Sequence, residues 1–146
     1  MSLKFPSAYR VAKADTNFVW IRRDIETVSV NLFIQRQRNQ TEQSIIEKRD
    51  SISKIYIPGP VENTYMSTDL IYTPNTQQIN VGGKQVFETR GLWEIEGQFM
   101  AGPFLNFQIK LDDDDFIMLD GFVYSPGSTK REYIFELEAI MRSLKD

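Results

Sequence analysis

The sequence contains neither cysteine nor histidine. Without these residues there is no Ser-His-Asp or Cys-His nucleophile system, no imidazole base and no Cys/His zinc site. The P-loop, GxGxxG and GxSxG motifs are also missing from the sequence. Most familiar hydrolase and nucleotide-dependent chemistries are therefore excluded, and no cofactor is predicted.

Basic charge and long apolar runs are scarce as well. Lys and Arg total 17 against 20 for Asp and Glu, which gives a net charge of -3. A nucleic-acid binder usually shows a basic excess or a basic stripe, so nucleic acid is not an expected partner. No apolar run approaches the roughly 18 residues of a membrane-spanning helix, and no signal peptide opens the chain. The sequence predicts a soluble protein.

The length fits one domain. The 146 residues, 41% of them hydrophobic, are enough for one sizeable core without disulfides. No repeat or linker divides them, so we expect a single domain over residues 1–146. The opening Met1-Ser2-Leu3 is typical of an expression vector, and we therefore expect the domain to be cut from a longer protein.

Alternating apolar and polar side chains predict several strands. Residues 18–35 read as two strands joined by a turn, and a short strand is expected near residues 65–70. The Gly-Gly pair at 82–83 predicts a hairpin turn before a long strand over residues 84–96. Gly91 within that strand indicates a bulge or the close approach of another element. These connections favour antiparallel pairing.

Two more strands and two helices complete the predicted order. Residues 104–111 alternate, whereas residues 116–124 are apolar on both faces, which is typical of a central strand covered on both sides. Helices are expected over residues 41–56 and from Ile134 to Leu144. Their capping boxes would be Asn39 with Glu42 and Thr129 with Glu132. The sequence therefore predicts an α+β fold, a mostly antiparallel sheet with two main helices in a layered sandwich.

Four successive aspartates, residues 112–115, form the most conspicuous cluster. Calcium takes several carboxylate oxygens, so Asp112 and Asp114 are candidate metal ligands. Successive side chains in extended structure point to opposite faces, and the EF-hand pattern is missing. A solvated hairpin turn that discourages edge-to-edge pairing explains the cluster equally simply.

The long strand carries a row of charged residues on one face. Glu88, Arg90, Glu94 and Glu96 alternate with the apolar residues of the other face. Paired carboxylates can perform general acid–base catalysis, and alternate residues of a strand lie about 7 Å apart, within the range that glycosidases use. An ordinary solvated sheet face gives the same pattern.

Glycines and aromatic residues are concentrated around the bend at residues 90–104. Arg90, Trp93, Glu94 and Phe99 are candidate ligand-binding residues, with Trp93 or Phe99 as a stacking wall for an apolar or aromatic ligand. The alternative is a structural corner in which glycines adopt positive φ and the aromatic rings close the end of the core.

Four blocks carry a family resemblance: IPGPVE at residues 57–62, ETRGLW at 88–93, MAGPF at 100–104 and GFVYSP at 121–126. In this order, and followed by the terminal helix, they resemble domain of unknown function 4837, a family of Bacteroidetes envelope proteins. The resemblance implies a lipoprotein whose lipid-modified cysteine lies upstream, with this chain as its C-terminal half. It supplies no activity and no catalytic residues. The element order also resembles the PsbP-like α/β/α sandwich, which does not establish a function.

Three functions remain open. The first is a non-enzymatic binding or assembly domain of a cell-envelope lipoprotein, whose partner is an envelope protein, a glycan or a small ligand. The resemblance implies that it contacts the membrane only through the lipid anchor. The second is an enzyme that acts on a glycan with carboxylates alone, drawn from Glu88, Glu94 and Glu96. The third is a small-ligand binder at the Trp93 and Phe99 corner.

Overall fold

The computed structural model describes residues 2–37, 44–111, 115–127 and 129–145. Eight strands and two helices lie within these ranges. In chain order they are β1 (Arg10–Asp15), β2 (Phe18–Ile25), β3 (Val28–Gln37), α1 (Ile45–Tyr56), β4 (Met66–Asp69), β5 (Asn75–Val81), β6 (Lys84–Ile95), β7 (Met100–Lys110), β8 (Phe116–Tyr124) and α2 (Arg131–Arg142).

All eight strands join one curled antiparallel sheet, a half-barrel. Its order is β1-β2-β3-β8-β7-β6-β4, and β5 pairs with the first half of β6 on the same edge as β4. The strand with two apolar faces, β8, lies in the middle between β3 and β7, as predicted. The α+β fold with a mostly antiparallel sheet and two helices is confirmed.

The two helices cover opposite faces of the sheet. Alternation along β3 sends Val30 and Leu32 to the face that α2 covers, and Asn31 and Phe33 to the other face. Helix α2 packs against β3, β7 and β8, whereas α1 packs against β4. We call these the α2 face and the α1 face. Neither described helix has the length and apolar character needed to span a membrane.

Helix α1 is capped by a residue that was not predicted as its cap. Its N-cap is Ser44, whose side chain accepts a hydrogen bond from the Glu47 backbone N–H at 3.2 Å. Ser44 and Glu47 have the spacing of a capping box. The predicted helix start at residue 41 and the predicted cap of Asn39 with Glu42 lie outside the described residues. The predicted end at Tyr56 is confirmed.

The capping box predicted for α2 is wrong. The N-cap is Lys130, and no side chain caps the helix through a hydrogen bond. Lys130 already has right-handed helical backbone angles, so the first turn begins one residue after Thr129, the predicted cap. The apolar face that was predicted from Ile134 to Leu144 packs as expected, because burying that face stabilises a helix more than its cap does.

Local turn signals gave accurate predictions, and one edge strand was missed. Gly82 and Gly83 both have positive φ and connect β5 to β6. At Gly91 an added Cβ would lie 2.7 Å from the Phe104 ring, so the predicted close approach is confirmed. The predicted short strand is β4. Strand β1 was not predicted, because it is almost wholly exposed and carries no clear apolar alternation.

Candidate functional site

An open cleft lies on the part of the α1 face that the helix leaves uncovered. Its volume is about 130 Å³, and its described lining comes from six strands together with the segment that follows α1. The lining residues are Trp20, Arg22, Ser29, Asn31, Ile57, Pro58, Met66, Trp93, Ile95, Met100, Phe122 and Tyr124. Half of these twelve residues are aromatic or contain sulfur, which is typical of small-ligand sites.

Trp93 is a rigid wall of the cleft. Its side chain is only 2% exposed, and its indole Nε1 donates a hydrogen bond to the Val123 backbone oxygen at 3.0 Å. The Phe122 ring packs edge-on against it, with ring centroids 5.9 Å apart. At Gly102 an added Cβ would lie 2.9 Å from Trp93 Nε1, so glycine is needed there for the indole to lie flat on β7. The wall is therefore fixed before any ligand arrives.

Trp20 lies at the more exposed side of the cleft and is oriented by a chain of hydrogen bonds. Its Nε1 donates to Asn31 Oδ1 at 3.0 Å, and Asn31 Nδ2 donates to Ser29 Oγ at 2.9 Å. Ser29 and Asn31 are two residues apart on β3 and so share one face. The chain of hydrogen bonds holds the half-buried indole at the cleft.

Arg22 supplies the only charge among the described residues that line the cleft. Strand pairing places it beside Asn31, and its guanidinium lies 5.6 Å from the Trp20 ring. Its Nη2 donates to Asp24 Oδ1 at 2.6 Å and to Ser29 Oγ at 3.1 Å. These hydrogen bonds and the nearby Arg10 lower the pKa of the Asp24 carboxyl, so Asp24 stays ionised. Two arginines thus share one carboxylate at this rim.

Some donors at the cleft are unused. Within the described ranges, no hydrogen bond involves Arg22 Nη1 or the Tyr124 hydroxyl. No carboxylate is among the lining residues in the described part of the chain. The cleft therefore offers hydrogen-bond donors beside aromatic walls, but no carboxylate or imidazole that could act as a general acid or base.

A buried ion pair anchors α1 next to the cleft. Arg49 on α1 and Asp120 on β8 have side chains that are 0% exposed. Arg49 Nε donates to Asp120 Oδ2 at 2.7 Å, and the guanidinium lies 3.9 Å from the Phe104 ring. Asn106 Nδ2 donates to the same carboxylate at 2.7 Å. Burial raises the pKa of the Asp120 carboxyl while Arg49 opposes that rise; the surrounding N–H donors favour the ionised form at neutral pH.

The ion pair extends towards β4. Arg49 Nη1 donates to Thr68 Oγ1 at 2.9 Å, and Thr68 donates both its hydroxyl and its backbone N–H to Asp50. Arg49 Nη2 also contacts the sulfur of Met66, a lining residue of the cleft, at 3.7 Å. Helix α1, β4 and one wall of the cleft are therefore held together by one polar network.

Sequence reasoning missed this network, although a signal was present. Arg49 lies four residues after Ile45 and three before Ile52, on the side of the helix that the apolar residues mark as buried. Asp120 interrupts a strand that is apolar on both faces. Two opposite charges at positions that must be buried indicate an ion pair.

The four predicted ligand-binding residues do not form one site. Trp93 lines the cleft, but Arg90 and Glu94 alternate with it on β6 and face the other side of the sheet. Phe99 is fully exposed in the β6–β7 turn with a positive φ of 51°. Glu94 and Phe99 border a second, more open depression that shares Ile95 and Met100 with the cleft. Burial, Asp69 and Glu96 raise the pKa of the Glu94 carboxyl.

The charged row on β6 is divided between buried and exposed positions. Glu88 is only 1% exposed and accepts hydrogen bonds from Gln77 Nε2 at 2.9 Å and Arg90 Nε at 3.1 Å. Arg90 also donates to Glu138 on α2 at 2.8 Å. The interpretation of the charged row as an ordinary solvated sheet face is therefore wrong at Glu88. Six residues of strand, about 20 Å, separate Glu88 from Glu94, too far for paired carboxylates.

The candidate metal ligands Asp112 and Asp114 lie outside the described residues. In the ranges that the structure describes, no group of three or more acidic residues is arranged to hold a metal ion. The described neighbour Asp115 accepts a hydrogen bond from Arg36 Nη2 at 2.7 Å.

The sequence was compared with protein-family profiles and with curated proteins. The sequence profile of the family Domain of unknown function (DUF4837) matches residues 1–143. A search of curated proteins found no match.

Proposed function

We propose that this chain, which belongs to the family Domain of unknown function (DUF4837), is a non-enzymatic binding domain that holds its ligand in the aromatic cleft. The observation that supports the proposal is the cleft itself, in which two tryptophans, a tyrosine and two methionines surround about 130 Å³. A cleft lined by aromatic and apolar side chains with a few convergent polar groups is the default hypothesis for a ligand site.

Preorganisation of the cleft supports binding. The Trp93 indole is held by the Val123 carbonyl, and the Trp20 indole by Asn31, so ligand binding orders few side chains. The described lining residues include no carboxylate, imidazole or lysine that could act as a general acid or base. We therefore place recognition, rather than a reaction, at this cleft.

The cellular setting is a second part of the proposal. Resemblance of the four sequence blocks to Bacteroidetes envelope lipoproteins supports a domain that is displayed in the cell envelope by a lipid anchor outside the folded sheet. A small ligand is the proposed partner of the cleft, whereas an envelope protein or a glycan are the alternatives that the binding experiment distinguishes.

The binding proposal has a built-in reporter. The chain has two tryptophans, and both line the cleft. We expect tryptophan emission to change saturably when the protein is titrated with the right member of a panel of small aromatic and aliphatic acids and amides, soluble oligosaccharides and short peptides. Thermal shift measures the same binding independently.

A matched pair of variants separates the cleft from the rest of the surface. Trp20→Leu should weaken binding, whereas Phe135→Leu, which changes an exposed aromatic residue on α2, should leave the affinity unchanged. If no panel member at millimolar concentration changes either the emission or the unfolding temperature, the binding proposal is wrong.

The envelope setting is tested separately. When the complete gene is expressed in a Bacteroidetes host supplied with a radiolabelled fatty acid, we expect label on the protein and recovery in the membrane fraction. An unlabelled protein in the cytosolic fraction would contradict the lipoprotein part of the proposal but leave the binding part intact.

A further inference from the structure

We propose that the ligand of the cleft is a small carboxylic acid with a single aromatic or aliphatic ring, bound with its ring against the aromatic walls and its carboxylate on Arg22. This inference rests on the proposed binding function and specifies its ligand class. Size, charge and hydrogen-bonding capacity support it.

The size of the cleft fits one ring. Its volume is about 130 Å³. An apolar protein cavity of about 150 Å³ is known to accept benzene, so the cleft has room for roughly one six-membered ring. Because the cleft is open on one side, a short substituent can extend to its rim. A longer chain of rings would leave most of its surface in water.

The charge at the rim favours an anion. Of the lining residues that the structure describes, only Arg22 is charged, and Arg22 and Arg10 together face one carboxylate, that of Asp24. The described rim therefore has an excess of one positive charge. The Arg22 side chain is 27% exposed, so its charge is partly desolvated and less screened than that of a free surface arginine.

The hydrogen-bonding groups call for an acceptor on the ligand. Arg22 Nη1 and the Tyr124 hydroxyl have donors that no described residue uses, and the Ser29 hydroxyl receives two hydrogen bonds while its own proton stays available. Strand pairing places Ser29 directly beside Tyr124. A carboxylate accepts from several donors at once.

The balance of hydrogen-bond donors and acceptors in the cleft also disfavours a neutral glycan. Sugar hydroxyls must donate as well as accept, and a lining without carboxylates offers them few acceptors. The amide oxygen of Asn31 already accepts from Trp20 Nε1. Of the open partner classes, a small ring acid is therefore the one whose chemistry complements the cleft best.

Three probes of nearly equal size test the inference. Phenylacetate, phenylacetamide and phenethylamine carry the same ring with an anionic, a neutral and a cationic end. We expect tryptophan emission to report binding of phenylacetate about tenfold or more tighter than that of phenylacetamide, because a hydrogen bond to a charged group is worth about that factor. Phenethylamine should bind weakest.

Variants of one residue show whether Arg22 causes the discrimination. R22Q should reduce the acid-to-amide affinity ratio to about one, and R22K should give an intermediate ratio, because lysine keeps the charge but loses the planar fork. R131Q removes the same charge from exposed Arg131 on the opposite side of the sheet and should leave the ratio unchanged. A ratio within one variant does not depend on how much of the sample is folded.

The outcomes distinguish this inference from the proposed function. Equal binding of phenylacetate and phenylacetamide, or an acid preference that survives R22Q, would overturn the carboxylate assignment while the binding function stands. If an oligosaccharide binds and none of the three probes does, the ligand class is wrong and the binding function again stands. A peptide ending in phenylalanine that binds about tenfold tighter than phenylacetate would make a peptide end, rather than a free acid, the ligand. If no compound gives a response, both the carboxylate assignment and the binding function are contradicted.

Discussion

The two faces of the sheet are built on different principles. On the α2 face, Leu137, Ile140 and Met141 of the helix meet a continuous apolar layer from β3, β7 and β8. On the α1 face, aromatic residues share the interior with an ion pair, amides and hydroxyls, and one end is left open as the cleft. The α2 face supplies stability mainly through apolar burial, with buried Glu88 and its partner Arg90 at its β6 side, whereas the α1 face combines stability with the cleft that we propose as a ligand site.

This difference shows where sequence alone misleads. Charged and amide residues on the α1 face would ordinarily mark a solvated surface, yet Asn31, Asn106 and Asp120 are buried there. They stay buried because partners from distant elements satisfy them. Three experiments can break or sharpen the comparison, in decreasing order of expected effect on stability.

The largest effect is expected at the ion pair of the α1 face. Asp120→Asn removes the buried carboxylate of the pair and leaves buried Arg49 with the more distant Asp50, 3.7 Å from its Nη1, so the free energy of unfolding at neutral pH should fall by about 3–5 kcal/mol. Urea denaturation followed by circular dichroism measures this loss, and tryptophan emission should show that the cleft is disturbed as well.

A double variant is the control for that prediction. Arg49→Met combined with Asp120→Leu removes both charges and should recover most of the loss, because apolar groups of similar volume can replace a buried pair. If D120N costs less than about 1 kcal/mol, the ion pair does not hold α1 on the sheet, and the contrast between the two faces is weaker than the geometry indicates.

An intermediate effect is expected on the apolar side. Leu137 is 0% exposed, and Leu137→Ala should lower the free energy of unfolding by about 2–5 kcal/mol through lost burial and an added cavity. Emission of the two tryptophans and ligand affinity should be unchanged in the folded protein, because the sheet separates this position from the cleft.

Phe135→Ala on the same helix is the matched control, since that side chain is half-exposed and its loss should cost much less. An L137A protein whose ligand affinity falls together with its stability would contradict the independence of the two faces.

The smallest effect is expected at the cleft rim. Because the pKa of Asp24 lies below its ordinary value of 3.8, its carboxylate stabilises the fold above that pH, and the contribution is lost as pH falls through the folded pKa. Asp24 is 41% exposed, so solvent screening limits the loss in Asp24→Asn at neutral pH to about 0.5 kcal/mol. In acid the two proteins should converge in thermal stability.

The Asp24→Asn variant also tests the cleft through its ligand affinity. Without the Asp24 carboxylate, Arg22 is less neutralised, so D24N should bind phenylacetate more tightly while phenylacetamide binds as before. Glu26→Gln, an exposed change in the β2–β3 turn, is the control. A D24N protein that is less stable than wild type even well below pH 3.8 would show that the side chain acts through packing rather than charge.

Much of the fold could be predicted because its causes are local. The Gly-Gly turn, the alternation in β3 and β7 and the helical period of α2 depend on neighbouring residues, and each appears in the structure where it was expected. Strand β1 and the cap of α1 were missed where the local signal was weak or was passed over. The predicted Trp93, Phe99, Arg90 and Glu94 site failed to assemble, because β6 sends alternate residues to opposite faces.

The sequence by itself determined the α+β class, the central place of β8 and the lack of imidazole and thiol chemistry, since these follow from residue types and periodicity. Only the tertiary structure decided that Trp20 and Trp93, 73 positions apart, line one cleft, and that Arg49 and Asp120 meet beneath α1. Such contacts depend on strand order and sheet curl, which set the distances between remote segments and leave no periodic mark in the chain.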